Sequence, residues 1–83
     1  MSRAEKCSLM MNTLWTVVKE NHMRHLQVLG GKLTAEMFTI RIIFVDTPKY
    51  KEKVRRLIDD VYCNESFVRL TETKTTITYG LYF

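Results

Sequence analysis

Apolar and polar positions recur along this chain with two different periods. In the first quarter, apolar residues return at about every third or fourth position, which is typical of one face of an α-helix. Ser2 followed by Glu5 is a capping-box pattern and marks the start of this helix. The pattern predicts a first helix that ends near Asn21–His22, with a core-facing stripe of Cys7, Met10, Met11, Leu14, Val17, Val18 and Asn21.

The period shortens to two after the first helix. Residues 24–29 fit either a continuation of the helix or a strand, and the alternation of Leu26 and Val28 favours a strand. Gly30-Gly31 then predicts a tight hairpin turn, because glycine adopts positive φ without strain. A second strand is expected from about Leu33 to Val45, and its second half is the most β-prone segment of the sequence.

The second half of the chain repeats the same alternation of element types. Thr47-Pro48 predicts the start of a second helix, with the threonine as N-cap and the proline in the first turn. Asn64 is expected to end it, and its buried stripe is predicted to be Tyr50, Val54, Leu57, Ile58 and Val61. Two further strands, about Phe67–Thr71 and Thr75–Tyr82, are expected on either side of a polar turn around Glu72-Thr73.

These elements predict one α+β domain over residues 1–83 with the order α-β-β-α-β-β. The economical arrangement is a two-layer sandwich, with two helices packed on one face of a four-stranded antiparallel sheet. One face of the sheet is then open. If Phe38, Ile40, Ile42 and Phe44 of the second strand face the helices, the outward residues are Met37, Thr39, Arg41, Ile43 and Val45. Burial of Ile77, Tyr79 and Leu81 on the fourth strand likewise turns Thr76, Thr78 and Tyr82 outward. If the third strand buries Val68 and Leu70, Phe67 and Arg69 point outward on that open face.

Composition and charge indicate which partners and which compartment to expect. The chain has 83 residues and a formal net charge of +4, which favours acidic partners only mildly. The N-terminal residues contain no apolar signal segment and no apolar run is long enough to span a bilayer, so a soluble, cytoplasmic protein without membrane association is expected. Cys7 and Cys63 lie in no paired spacing and are expected to be reduced thiols packed against the core.

No catalytic or metal-binding pattern stands out. Asp59 and Asp60 are adjacent, so on a helix they point in different directions and do not form a carboxylate pair. His22 and His25 have no cysteine at zinc-finger spacing. There is no phosphate-binding loop and no nucleophile motif. We therefore expect no enzyme activity, no metal and no cofactor.

The surplus of apolar residues on the first helix favours a protein-binding function. The leading hypothesis is a small regulatory or inhibitory protein that docks on a larger protein, of the size that phages and mobile elements encode as stand-alone inhibitors. A homodimer through the first helix or the C-terminal strand is the further option. The predicted partner-binding residues are the anchors Leu9, Met11, Trp15 and Tyr82, with Lys49 and Lys53 steering association.

Nucleic-acid binding is the alternative. The second helix begins with lysines and ends with aspartates, which is opposite to the preference of the helix dipole and is consistent with charges kept for a partner. The open sheet would present arginines and aromatic rings to bases, as single-strand binders do, although no RNP-like motif is present. The residues of this alternative are Arg41, Phe67, Arg69 and Tyr82 on the sheet and Lys49, Lys51, Lys53, Arg55 and Arg56 on the helix.

Overall fold

The computed structural model describes residues 2–20, 26–45 and 51–83. The predicted α+β class is confirmed, with the elements following one another as α1-β1-β2-α2-β3-β4. The helices are α1, Arg3–Glu20, and α2, Lys51–Val61. The strands are β1, Leu26–Leu33, β2, Met37–Phe44, β3, Phe67–Glu72, and β4, Thr76–Tyr82. Neither described helix is long and apolar enough to cross a membrane.

The polar residues at the element ends explain where the helices and turns begin. Ser2 Oγ accepts a hydrogen bond from the Glu5 backbone N–H at 3.2 Å, which confirms the predicted start of α1. The helix α2 ends at Val61, earlier than predicted. Asn64 instead shapes the next turn, because its Oδ1 accepts from the backbone N–H groups of Ser66 and Phe67. The expected start of α2 at Thr47-Pro48 lies outside the described residues.

The four strands form one antiparallel sheet in the order β1-β2-β4-β3. The C-terminal strand β4 therefore lies inside the sheet and is paired on both sides. The strand β4 therefore offers no free edge for backbone pairing with another chain. The edge strands are β1 and β3.

The first hairpin turns later than its glycines predicted. Gly30 and Gly31 lie within β1, and the chain reverses at Thr34, whose Oγ1 accepts from the Met37 backbone N–H at 3.1 Å. A side chain at Gly31 would collide with Thr39, whose hydroxyl accepts a hydrogen bond from the Lys32 N–H at 2.9 Å. Gly31 thus leaves room for Thr39 and Gly30 for Phe38 on the neighbouring strand, and the prediction of a turn there was wrong.

The core lies on one face of the sheet. In β2 and β4 the buried positions alternate as the sequence predicted, so that one side of each strand is inaccessible to solvent. The same buried cluster includes residues of both helices, and α1 contacts β1 while α2 contacts β4. Its members are Cys7, Leu14, Val18, Val28, Phe38, Ile40, Ile42, Phe44, Val54, Ile58, Phe67, Ile77, Tyr79 and Leu81. The opposite side of the sheet is called the outer face below.

In the strand β3, the side chains that face the core and those that face outward are the reverse of the prediction. Phe67 is fully buried and its ring stacks on Tyr79, with centroids 5.2 Å apart and planes 13° from parallel. Arg69 points the same way as Phe67 and forms an ion pair with Asp59 of α2 at 2.7 Å. The predicted outward placement of Phe67 and Arg69 is therefore wrong. Val68 and Leu70 occupy the outer face instead.

Asp59 of α2 accepts hydrogen bonds from side chains of both β3 and β4. Its Oδ2 accepts from Arg69 Nη1, and its Oδ1 accepts from the Tyr79 hydroxyl at 3.0 Å and from the Cys63 thiol at 3.7 Å. Burial and the hydrogen bond to this carboxylate raise the pKa of Tyr79 well above its usual range. The phenol is therefore protonated near neutral pH and donates to Asp59.

An irregularity in β3 places a second acidic residue against α2. The register shifts between Arg69 and Thr71, so that Glu72 pairs with Ile77 and turns toward the helix. There it accepts from Lys51 Nζ at 3.1 Å and Arg55 Nη1 at 3.4 Å. Lys51 lowers the pKa of the Glu72 carboxyl by hydrogen bonding. The basic first turn of α2, unfavourable for its own dipole, is thus compensated by Glu72.

We predict that Asp59→Ala destabilises the fold by about 1–3 kcal/mol, because it leaves the partly buried donors of Arg69 and Tyr79 without their acceptor. Urea unfolding followed by circular dichroism measures the change. The matched control is Asp60→Ala, which removes an exposed carboxylate from the next position of the same helix. Equal losses in the two variants would contradict a structural role for the Asp59 contacts.

Candidate functional site

The outer face of the sheet carries a group of apolar side chains from all four strands. Leu29, Leu70 and Tyr82 are 45%, 37% and 42% exposed, and the others are half-buried. Cross-strand pairing groups Met37, Val68, Leu70 and Tyr82 around Gly80, and Leu29 and Ile43 lie next to Arg41 on the same face, so the six together are here called the sheet patch. Its members are Leu29, Met37, Ile43, Val68, Leu70 and Tyr82.

Gly80 allows two of these side chains to meet across the central strand β4. A Cβ atom at Gly80 would lie 2.8 Å from Met37 Sδ and 2.9 Å from Leu70 Cδ1, both closer than carbon contacts allow. Met37 and Leu70 therefore extend over the glycine from β2 and β3. The absence of a side chain on β4 makes the sheet patch continuous at this end of the sheet.

A single cation interrupts the sheet patch. Arg41 is exposed on the outer face of β2, opposite Leu29 on β1 and Thr78 on β4. The remaining polar outer-face positions near it are threonines, which are uncharged. Within the four strands, the acidic residue is Glu72, and it faces α2. The outer face therefore combines apolar side chains with threonines and the cation Arg41, and a second exposed cation of the strands, Lys32, lies beside Thr39 at the register shift of β1.

The anchors predicted on α1 do not form a joint surface with Tyr82. Leu9 and Trp15 are 54% and 46% exposed. They are six positions apart, which places them about 120° apart around the helix. Met11 is half-buried and packs against the core, so its predicted role as an exposed anchor is not supported by its position. Tyr82 lies on the outer face, whereas α1 packs on the core side of the sheet.

An open groove of about 340 Å³ runs beside α1. Its lining is almost entirely apolar and comes from α1, from the segment after α2 and from β4. Of the predicted anchors it includes Leu9 and excludes Trp15. The lining residues are Lys6, Leu9, Met10, Thr13, Tyr62 and Leu81.

Most cations of the predicted nucleic-acid surface are engaged within the protein. Lys51 and Arg55 bind Glu72, Arg69 binds Asp59, and Arg56 binds Glu52 at 2.8 Å. Lys53 is exposed and makes no ion pair with a described residue, and Lys49 lies outside the described residues. The structure therefore leaves Arg41 and Tyr82 together on the outer face, without Phe67, Arg69 or the helix cations.

The polar cluster around Asp59 contains one group with nucleophilic chemistry, the thiol of Cys63. Burial, together with the negative charge of Asp59, raises the pKa of this thiol to about 11. Burial also raises the pKa of the Cys7 thiol. Both thiols are consequently protonated near neutral pH, which is the unreactive form. Within residues 2–20, 26–45 and 51–83, no three His, Cys, Asp or Glu side chains are placed to hold a metal ion. His22 and His25 lie outside that part of the chain.

Sequence reasoning missed most of the sheet patch for one reason. Alternation correctly placed Met37 and Ile43 on the outer face, but it did not predict the opposite phase of β3, which brings Val68 and Leu70 to the same face across Gly80 from Met37. The signal that could have revealed this phase is the pairing of Arg69 with an acidic residue on α2, which sequence spacing alone does not show.

Comparison of the chain with protein-family models, with curated proteins and with solved structures finds no match. The functional conclusion therefore depends on the surfaces described above.

We predict that iodoacetamide alkylates Cys63 of the folded protein about 100-fold more slowly at pH 8 than it alkylates a thiol with the ordinary pKa of 9.0, because the thiolate is the reacting form. Asp59→Asn removes a charge that raises the Cys63 pKa, so the midpoint of the rate–pH profile should move to lower pH. Mass spectrometry of the alkylated peptide measures both effects. Asp60→Asn is the control, and the same midpoint in both variants would contradict the assigned cause.

Proposed function

We propose that this protein is a non-enzymatic binding module that regulates or inhibits another protein by docking on it through the outer face of its sheet. The proposal includes the two-layer arrangement, in which α1 and α2 cover one face of the sheet and leave the other open. The observation that carries the proposal is the sheet patch, six partly or largely exposed apolar side chains on one face of the sheet around Arg41. Contiguous exposed apolar surface on a small domain is a mark of an interaction site.

The composition of the sheet patch suits a protein partner. It combines leucines, isoleucine and valine with one methionine and one tyrosine, and it is poor in charge. The centres of protein interfaces are likewise depleted of charged residues and enriched in aromatic residues, methionine and arginine. Met37 adds adaptability, because an unbranched thioether side chain fits partners of varied shape.

A nucleic-acid partner has less support from the same surface. Phosphate binding needs several cations free to replace counterions. The strands provide Arg41 and Lys32, while Lys51, Arg55 and Arg69 are already paired with acidic residues. Base stacking needs exposed rings, and Phe67 is inside the core. Tyr82 is the aromatic ring that the sheet patch offers.

The outer face is also a better docking surface than α1. The exposed apolar residues of α1, Leu9 and Trp15, point to different sides of the helix, and single exposed apolar residues are common on proteins without binding partners. The residues of the sheet patch are neighbours in adjacent strands. We therefore move the centre of the docking hypothesis from α1 to the sheet and keep Tyr82 as its one shared anchor.

We predict that Leu29→Gln/Leu70→Gln weakens partner binding at least about tenfold, equivalent to about 1.4 kcal/mol, because both changes place polar groups in the apolar interface. Partners captured from cells of the source organism are identified by mass spectrometry, purified and titrated by calorimetry. The matched control is Leu9→Gln, an equally exposed leucine on α1, which should change the affinity less than about twofold.

The opposite pattern, loss of binding with Leu9→Gln and none with the sheet variant, would return the interface to α1. Thermal unfolding must show that both variants remain folded. Fluorescence anisotropy with single-stranded DNA and RNA tests the alternative function. Tight binding that weakens steeply with salt and disappears in Arg41→Ala would establish nucleic acid as the ligand and refute protein docking by this face.

A further inference from the structure

Arg41 differs from the other arginines that the structure describes. Arg3 donates to the Ala35 carbonyl oxygen, and Arg55, Arg56 and Arg69 form ion pairs with acidic side chains. Arg41 forms neither a hydrogen bond nor an ion pair with a residue of the described ranges. Its guanidinium group is thus the one arginine head group in these ranges that the fold itself does not use.

Arg41 lies among the residues of the sheet patch, so its lack of a partner affects what can bind there. It is between Leu29 and Thr78 across the sheet and next to Ile43 along the same face of β2. A partner that covers the sheet patch must also cover Arg41. Burying an unpaired charge is strongly unfavourable, so the partner has to supply an acceptor for the guanidinium group.

The outer face of the strands has no acceptor of opposite charge to offer. The carboxylate of Glu72 is on the other side of the sheet, bound to Lys51 and Arg55. Thr39 Oγ1 already accepts from the Lys32 backbone N–H. A carboxylate matches the planar, two-pronged guanidinium group best, since it accepts two parallel hydrogen bonds.

A second copy of this chain is the wrong occupant for the same reason. A symmetric dimer that paired two outer faces would bring together two surfaces with the same composition and no carboxylate on the strands of either. Arg41 lies near the middle of that surface, so the two guanidinium groups would approach each other. Like charges that are brought together in a desolvated interface are unfavourable by several kcal/mol.

We propose that the partner of the sheet patch presents an aspartate or glutamate carboxylate to Arg41 from within an apolar segment. This inference rests on the proposed docking function and specifies the chemistry of the protein that docks. Leu29, Ile43 and Tyr82 bind the apolar side chains of that segment, and Arg41 selects the acidic one. Recognition therefore combines non-directional apolar contact with one directional ion pair.

A random-peptide display library tests the proposal, because it samples acidic and apolar segments without requiring the partner itself. Wild-type protein, Arg41→Gln, Arg41→Glu, Leu29→Gln/Leu70→Gln and the control Leu9→Gln are immobilised in parallel. The wild type and Leu9→Gln should enrich peptides in which an acidic residue has apolar neighbours. Arg41→Glu should enrich peptides with lysine or arginine at that place, and the sheet variant should enrich neither.

A synthetic copy of the most enriched peptide then gives the size of the effect. Arg41→Gln and replacement of the peptide's acidic residue by its amide should each weaken binding about tenfold, and the double change should weaken it little further. Such non-additivity identifies a direct contact. Circular dichroism and thermal unfolding confirm that the variants are folded, which the exposed position of Arg41 favours.

The alternatives give different results. Enrichment of apolar peptides without an acidic residue, lost in Leu29→Gln/Leu70→Gln and retained in Arg41→Gln, overturns the ion-pair inference and leaves docking by the sheet patch in place. If no peptide is enriched whose binding is lost in Leu29→Gln/Leu70→Gln, both the ion-pair inference and the proposed docking by the sheet patch are overturned. Sedimentation equilibrium showing a dimer that Leu70→Gln dissociates would make a second copy the occupant. Co-sedimentation with vesicles of phosphatidylcholine and phosphatidylglycerol, lost in Arg41→Gln, would make it a lipid surface.

Discussion

The ion pair between Asp59 and Arg69 determines which side of the edge strand β3 faces the helices. With Arg69 held 2.7 Å from the Asp59 carboxylate, Phe67 must point the same way, and there it stacks on Tyr79. The remaining side chains of the strand then have to appear on the outer face. A polar contact between a helix and a strand thus decides the composition of a surface on the opposite side of the sheet.

The register shift after Arg69 turns a further residue of β3, Glu72, toward the helices. Without it, strict alternation would place Glu72 opposite Thr76 on the outer face, which would then carry a negative charge of its own. The register shift sends Glu72 to Lys51 and Arg55 instead. Lys51 and Arg55 of α2 therefore stabilise the contact between helix and sheet. Arg41 on the outer face forms no ion pair with a described residue and is free to bind a partner.

Sequence alone was sufficient for the elements with a strong repeating pattern. The strands β2 and β4 alternate clearly, so their buried sides were predicted correctly, and the capping residue Ser2 marked the start of α1. The failures share one cause, which is that a local signal was overruled by a contact distant in sequence. Gly30-Gly31 favours a turn, yet the two glycines lie within β1 and leave room for Phe38 and Thr39. In β3 the local pattern favours burial of Val68 and Leu70, and the burial of Phe67 against Tyr79 together with the Arg69–Asp59 ion pair reverses it. The sheet patch depends on that reversal, and therefore could not be predicted in full.

The interior position of β4 has a consequence for how the protein is made. The strand β3 has no contact with the β1–β2 hairpin within the ladder except through β4, which inserts between them. During synthesis, therefore, the hairpin and β3 emerge as two unconnected halves, each with exposed backbone groups. The strand that joins them is the last of the four to leave the ribosome. The β2–β4 and β4–β3 pairings can form only after β4 has been synthesised. Until then, the edges of β2 and β3 that will pair with β4 are exposed and can pair with other strands or chains.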